Sequence, residues 1–272
     1  MAASCLPVLM YHHVSPHVGS LTVSPANFAA QLDWLARAGY TPLGAAGLAD
    51  FFAGRPVPRK PVVLTFDDGY LDNFVYAHPE LVRHGMTAML FAVTGWMGEG
   101  PPRPHAGQGG ALPQTFGHRE AKARLEAGDT DAVMARWSEL RQMREAGSFE
   151  IHSHTHTHTR WDLRLDDPAA RRAALADDLA RSRTALAQRL NVNSDHLCWP
   201  QGYYDDDYLD VACALGFSHL HTTKARELNR PGQDTRHIYR VAVKNRRGFA
   251  FAQRVWLAGH PRWGALYNRW KR

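Results

Sequence analysis

The chain has 272 residues, 44% of them apolar and 21% charged, with a formal net charge of +6. That balance excludes a disordered chain and supplies one large core, so a single α/β domain suffices. No run approaches the roughly 18 consecutive apolar residues that span a bilayer, and Cys5, Cys198 and Cys213 form no CxxC pair or disulfide framework, which suggests a reducing compartment.

Residues 6–10 are a short apolar run suited to a buried strand, and the loop after it carries His12 and His13. Loop histidines of this kind are more often surface or packing residues than site residues. Ser24 and Pro25 supply an N-cap and a first-turn proline for a helix whose buried face is Phe28, Leu32, Leu35 and Ala36, ended by Gly39. A short helix over 48–52 and a Pro-rich connector over 54–61 lead to Val62-Val63-Leu64-Thr65-Phe66-Asp67-Asp68-Gly69. This apolar, β-branched run between Pro61 and Gly69 reads as a strand buried on both faces. Two adjacent carboxylates at its end repel each other and lose hydration, so a cation or hydrogen-bond donors must compensate them. A metal does so when one carboxylate ligates it and the other stays off it as a base. The plainer alternative is an Asp-Asp-Gly turn without chemistry.

Helical spacing over 74–84 ends at Gly85, and 87–93 is another buried strand. A strand, a helix and a strand in this order favour a parallel sheet or barrel, where function gathers at the C-terminal strand ends. The Gly- and Pro-rich stretch 95–117 reads as a long loop, either a lid or an insertion. Helices are expected over 118–128 and 131–146, then a brief strand over 149–151 that delivers His152-Ser153-His154-Thr155-His156-Thr157-His158-Thr159. As a strand, this tract places His152, His154, His156 and His158 on one face. With a turn after His154, it brings His154 and His158 together instead. Either way imidazoles suited to Zn, Co, Ni or Fe meet, and a carboxylate from elsewhere completes a three-ligand set with a position open to water.

A covering helix over 166–190, a strand over 196–202 that stops at its Pro/Gly turn, a helix over 208–215 and a strand from Gly216 to Thr222 follow. In the last of these, His219 and His221 share a face. From Arg236 to Arg272 there is no Asp or Glu, and Trp256, Trp263, Tyr267 and Trp270 favour a membrane interface. Residues 246–272 are accordingly expected to be a basic, Trp-containing tail.

Thr65-Phe66-Asp67-Asp68-Gly69 and His154-Thr155-His156-Thr157-His158, in this order and each after a strand, resemble the first two motifs of the polysaccharide deacetylase family, the carbohydrate esterases with a NodB-like domain. The resemblance extends over about 6–245, including Met10-Tyr11-His12-His13-Val14 and the run around Trp137. It implies an α/β fold, a distorted (β/α) barrel of about seven parallel strands over 1–245 with an insertion near 98–135. It also implies removal of N- or O-acetyl groups from sugars with a bound divalent metal. Carried over, Asp68, His154 and His158 are the metal ligands and Asp67 the general base, with Zn as the metal and Co or Ni as alternatives. The third motif departs from the family: in place of Arg-x-Pro-Tyr-Gly stands Cys198-Trp199-Pro200-Gln201-Gly202. Trp199 and the backbone N–H of Gln201 remain candidates for substrate and oxyanion contact, but the arginine that orients the base in the family is missing, so Asp67 is either held otherwise or less well tuned. The Trp-Pro-x-Gly version resembles the branch containing poly-N-acetylglucosamine deacetylases. The last motif, with its general-acid histidine, has no clean copy, and His221 is the candidate.

These features lead to a metal-dependent N-deacetylase of an amino sugar. Residues 1–10 carry no secretory signal pattern, so a cytoplasmic enzyme is expected. The basic C-terminus suggests peripheral contact with an anionic membrane surface at its inner face. Together these favour a lipid-carrier-linked N-acetylhexosamine, as in envelope or lipid A modification. A poly-N-acetylglucosamine exopolysaccharide is the alternative substrate, and an inactive glycan-binding barrel the alternative of another class. No nucleic-acid partner is expected, because the basic charge comes without a recognised binding motif.

Overall fold

The computed structural model describes residues 3–225 and 227–270. The chain begins with β1 (Val8–Tyr11), the small pair β2 (His13–Val14) and β3 (Thr22–Val23), and α1 (Pro25–Arg37). Next come β4 (Thr41–Pro42), α2 (Ala45–Phe52), β5 (Pro61–Asp68), a π turn (Asn73–Ala77) running into α3 (His78–His84), and β6 (Ala88–Ala92). Beyond a long connection lie α4 (His118–Glu126), α5 (Thr130–Val133), α6 (Trp137–Glu145), β7 (Phe149–Ser153), α7 (Pro168–Leu190) and β8 (His196–Cys198). The series ends with α8 (Asp206–Ala214), β9 (His219–His221), β10 (Val241–Ala242), α9 (Phe249–Gly259) and α10 (Pro261–Trp270).

The principal sheet runs β10-β1-β5-β6-β7-β8-β9, with β4 added on β5, and every pairing is parallel. It curls until its edges approach: Ile238 bridges His221 of β9, and Val241 and Ala242 pair with Leu9 and Met10 of β1. Residues 238–242 thus span the seam of a distorted barrel, the α/β fold expected. Side chains alternate along each strand. Val8, Val63, Met89, Phe91 and Cys198 share one cluster, whereas their neighbours Leu9, Leu64, Phe66 and Leu90 pack in another with α1, α3 and α6. Both sets are buried, which is why β5 reads as an unbroken apolar run.

Local chemistry accounts for the helix ends. Ser24 caps α1 by accepting from the Asn27 N–H, and Asp167 caps α7 by accepting from the Ala170 N–H. Tertiary contacts override pattern elsewhere. The helix expected over 131–146 breaks at 134–136, where Met134 bridges Tyr70 and Arg136 bridges Gly98. The long connection is tied down: Arg103 donates from Nε to Glu139 Oε1 at 2.7 Å and from Nη2 to Oε2 at 2.8 Å, on a fully buried carboxylate.

The basic tail requires correction. Its described part forms α9 and α10, and Phe251, Val255 and Ala258 of α9 are buried in the cluster that holds Leu9 and Val241. Their spacing of four and three residues is a helical apolar stripe, so the segment folds against the sheet edge. Lys271 and Arg272 lie outside the described residues.

Candidate metal and catalytic site

Adjacent residues of a strand point to opposite faces, yet Asp67 and Asp68 both reach His154. The backbone explains it: Asp68 has φ 73° and Gly69 φ 88°, so the chain leaves β5 through two left-handed residues. Aspartate tolerates that conformation better than most residues.

The histidine tract turns rather than continuing as a strand. β7 ends at Ser153, and Thr155 (φ 65°) and His158 (φ 58°) fold the chain back. Asp178, buried on α7, holds this loop. Its Oδ1 accepts from the His156 and Thr157 N–H groups at 2.8 and 2.9 Å, and its Oδ2 accepts from Thr157 Oγ1 at 2.9 Å. His154 Nε2 then lies 3.4 Å, and His158 Nε2 3.7 Å, from Asp68 Oδ1. One ligand atom from each of Asp68, His154 and His158 falls within 4.8 Å of the others. His152 and His156 are diverted, their Nδ1 atoms 2.7 Å from Ser194 Oγ and 2.9 Å from Thr94 Oγ1.

This donor set fits a divalent metal. His154 Nδ1 sits 2.8 Å from the Cys198 carbonyl, which can only accept, so that nitrogen carries the proton and Nε2 presents its lone pair to the cluster. Two imidazoles and a carboxylate match the ligand chemistry of Zn and its neighbours. Against the Asp68 carboxylate alone, His154 is instead pushed well above the ordinary histidine range and keeps a second proton on Nε2, a proton whose place a bound cation would take. Burial would raise the Asp68 carboxyl, but the hydrogen bond from His154 and the charges of His158 and His12 outweigh it and hold the group below the usual carboxylate range.

Asp67 has a different partner. Arg240, fully buried on the seam, donates from Nη1 to Asp67 Oδ1 at 2.6 Å and from Nη2 to Oδ2 at 2.8 Å. Its other N–H groups reach the Thr222 carbonyl, Thr65 Oγ1 and Cys198 Sγ at 3.0, 3.2 and 2.9 Å, so all five donors are used. Burial works against the Asp67 anion, and the Arg240 charge, followed by that of His12, overrides it to keep the carboxyl low. Arg240 thus orients Asp67 without any arginine in the Cys198–Gly202 stretch, where Cys198 leaves room for the guanidinium. Asp67, His154 and Cys198 also cluster, but the Arg240 guanidinium donates to both Asp67 oxygens and to the thiol, and its positive charge opposes a cation there.

Two expectations fail on burial. Trp199 continues the alternation of β8 outward and is fully buried among Leu175, Leu179 and Tyr208, so its side chain meets no substrate. His221 is fully buried as well, its Nε2 3.1 Å from His196 Nδ1 and its ring 4.6 Å from Phe91. Burial pushes His221 and His196 well below the ordinary histidine range, so both stay neutral, and His221 is not an imidazolium poised to protonate a leaving group. Below about pH 6.5 the unfolded chain binds protons that these two native imidazoles refuse, and their contribution to stability falls as pH drops. His221→Leu is expected to leave turnover within about threefold, to cost ~1–3 kcal/mol by orphaning His196, and to make the acid-side fall shallower. Urea midpoints at about pH 7.5 and 5.5 read the difference.

Gln201 keeps a place near the end of β8. It adopts φ 55°, and its backbone N–H has no acceptor among the described residues. His12, one of two loop histidines able to face a site but more often surface or packing residues, lies with Nε2 3.8 Å from Asp67 Oδ2. Its signal was its position one residue past an inner strand, the same kind of position that marked Asp68. His13 turns away to Asp72, 2.6 Å from its Oδ2.

Comparison with known proteins agrees with this geometry. Residues 54–220 match the family model for polysaccharide deacetylase. The poly-beta-1,6-N-acetyl-D-glucosamine N-deacetylase of Escherichia coli K12 is 22% identical over 91% of this chain, which spans only 38% of that protein. The enzyme of the same name from Staphylococcus aureus MSSA476 is 22% identical over 85% of this chain and 71% of its own length. Among solved structures, IcaB from Ammonifex degensii superposes with a TM-score of 0.71 at 25% identity, covering 95% of this chain and 99% of that one. With the family model matched across β5 to β9 and an Asp-His-His cluster at the motif positions, two of its members buried and His158 partly exposed, the chain belongs to the polysaccharide deacetylase family.

Proposed function

We propose that this chain is a metal-dependent N-deacetylase of a β-1,6-linked poly-N-acetylglucosamine. The observation that carries the reaction class is the division of labour at the end of β5: Asp68 joins His154 and His158, while Asp67 is held apart by Arg240. A divalent ion, when bound by those three residues, supplies Lewis acidity toward the acetyl carbonyl and the attacking water. Asp67 accepts a proton from that water as the C–O bond forms. The unpaired N–H of Gln201 is the backbone donor available to the developing oxyanion. As the C–N bond breaks, the amine nitrogen needs a proton, and His12, beside Asp67 and partly exposed, is the imidazole placed to deliver it. Water and amide become acetate and a free amine.

The polymer is favoured as substrate because relatives aligned over most of the chain carry that activity in their names. A lipid-carrier-linked hexosamine, the substrate first expected, draws no support from them. Acetate release from β-1,6-linked N-acetylglucosamine oligomers of two to about six units, set beside an undecaprenyl-phosphate N-acetylhexosamine, separates the two. The expected result is kcat/KM rising by about tenfold or more with oligomer length, as added subsites contribute binding energy. Equal rates across the series, with faster turnover of the lipid-linked sugar, would overturn the polymer reading.

A further inference from the structure

Five of the nine large apolar side chains exposed among the described residues belong to α9 and α10. On α10, Trp263, Leu266 and Trp270 are 55, 57 and 81% exposed, and their spacing of three and four residues places them in one stripe. Gly264 and Asn268 face the body and are buried, whereas Arg262 and Arg269 are exposed and flank the stripe. Phe249 and Trp256 of α9, seven apart, add a second exposed pair, 81 and 46% exposed. No acidic residue follows Asp234 in the sequence, so α9 and α10 carry their arginines with no acid of their own.

Tryptophan and arginine are enriched where proteins dock as well as at bilayer surfaces, so charge selects the occupant. A second copy would set helices that hold arginines and no acids against each other, whereas an anionic headgroup layer complements them and the tryptophans suit its boundary with the acyl chains. The helices have 11 and 10 residues, and no helix among the described residues is long and apolar enough to cross a membrane. Contact is therefore in the plane of the interface. We propose that α9 and α10 form a docking face for an anionic lipid bilayer. Trp263, Leu266 and Trp270 enter the headgroup boundary, and Arg262 and Arg269 meet lipid phosphates.

The test is flotation of the full chain with vesicles of phosphatidylcholine alone and with about 30% phosphatidylglycerol. Binding is expected to be about tenfold or more tighter on the anionic vesicles and to weaken in about 0.5 M salt. Trp263→Ser/Trp270→Ser is expected to lose about tenfold on both compositions, and Arg262→Glu/Arg269→Glu to erase the preference for anionic lipid. All four positions are exposed, so both variants should melt with the wild type and release acetate from soluble oligomers at its rate. That activity readout keeps this inference separable from the proposed reaction. Two results would overturn it: equally weak flotation on both compositions, or a concentration-dependent dimer abolished by the tryptophan pair, which would mean that a second copy of the chain covers the face.

Discussion

Asp67→Asn is expected to lower kcat by about 10²–10⁴-fold, the usual worth of a positioned general base, while metal content stays at that of the wild type. His154→Ala is expected to lose both. The two carboxylates are adjacent in sequence but differ in company. Asp68 Oδ1 faces the Nε2 atoms of His154 and His158, whereas both Asp67 oxygens accept from the Arg240 guanidinium at 2.6 and 2.8 Å. Asparagine keeps the size of the residue and one acceptor for Arg240, but it cannot take a proton. Alanine at 154 removes one of the three donors together with the imidazole held by the Cys198 carbonyl. Metal per chain and acetate release, measured on the same preparations, distinguish the outcomes. Equal metal loss in the two variants would make Asp67 a ligand and reverse the roles given to the pair.

Arg240→Leu is expected to cut kcat by about 10²-fold or more with a smaller change in KM, and to cost ~3–5 kcal/mol in stability. Breaking a buried ion pair from one side leaves the other charge uncompensated. Without the guanidinium, burial dominates at Asp67 and raises its carboxyl. The base is then active only above a higher pH, so the acid limb of the pH–rate profile moves upward. Arg240→Lys keeps a positive charge but loses the planar fork, and its profile should fall between those of the leucine variant and the wild type. A purely structural role would lower activity at every pH without moving the limb, so the profile separates orientation of the base from packing of the seam.

The parts of the site legible in the sequence are those whose chemistry is locally costly. Adjacent aspartates ending a buried strand, and imidazoles crowded after another, stand out because neither serves a core without a partner. Arg240 was not legible. It stands alone between Tyr239 and Val241, 173 residues from the carboxylate it holds, and only barrel closure brings the two together. His221 misled for the complementary reason: strand alternation shows that a residue faces inward, not how deep in the barrel it lies. The register Cys198↔His221 places it on the inner wall, packed against Phe91 and His196. At the C-terminus the absence of acids drew attention to charge, although Phe251, Val255 and Ala258 already marked a helical core face. The barrel itself was readable because strands and helices alternate with glycines at the turns, while the break at 134–136 depends on bridges to Tyr70 and Gly98 that no local pattern records.

The central claim is that a metal held by Asp68, His154 and His158 supports hydrolysis for which Asp67 is the base. Its most direct test is acetate release from a β-1,6-linked N-acetylglucosamine oligomer by enzyme stripped with chelator and titrated with Zn, run in parallel on His158→Ala. Activity that vanishes on stripping, returns in proportion to metal up to one equivalent per chain, and is absent from His158→Ala at the same metal concentrations is the predicted result. Full activity in the stripped enzyme, or in His158→Ala without bound metal, would contradict it.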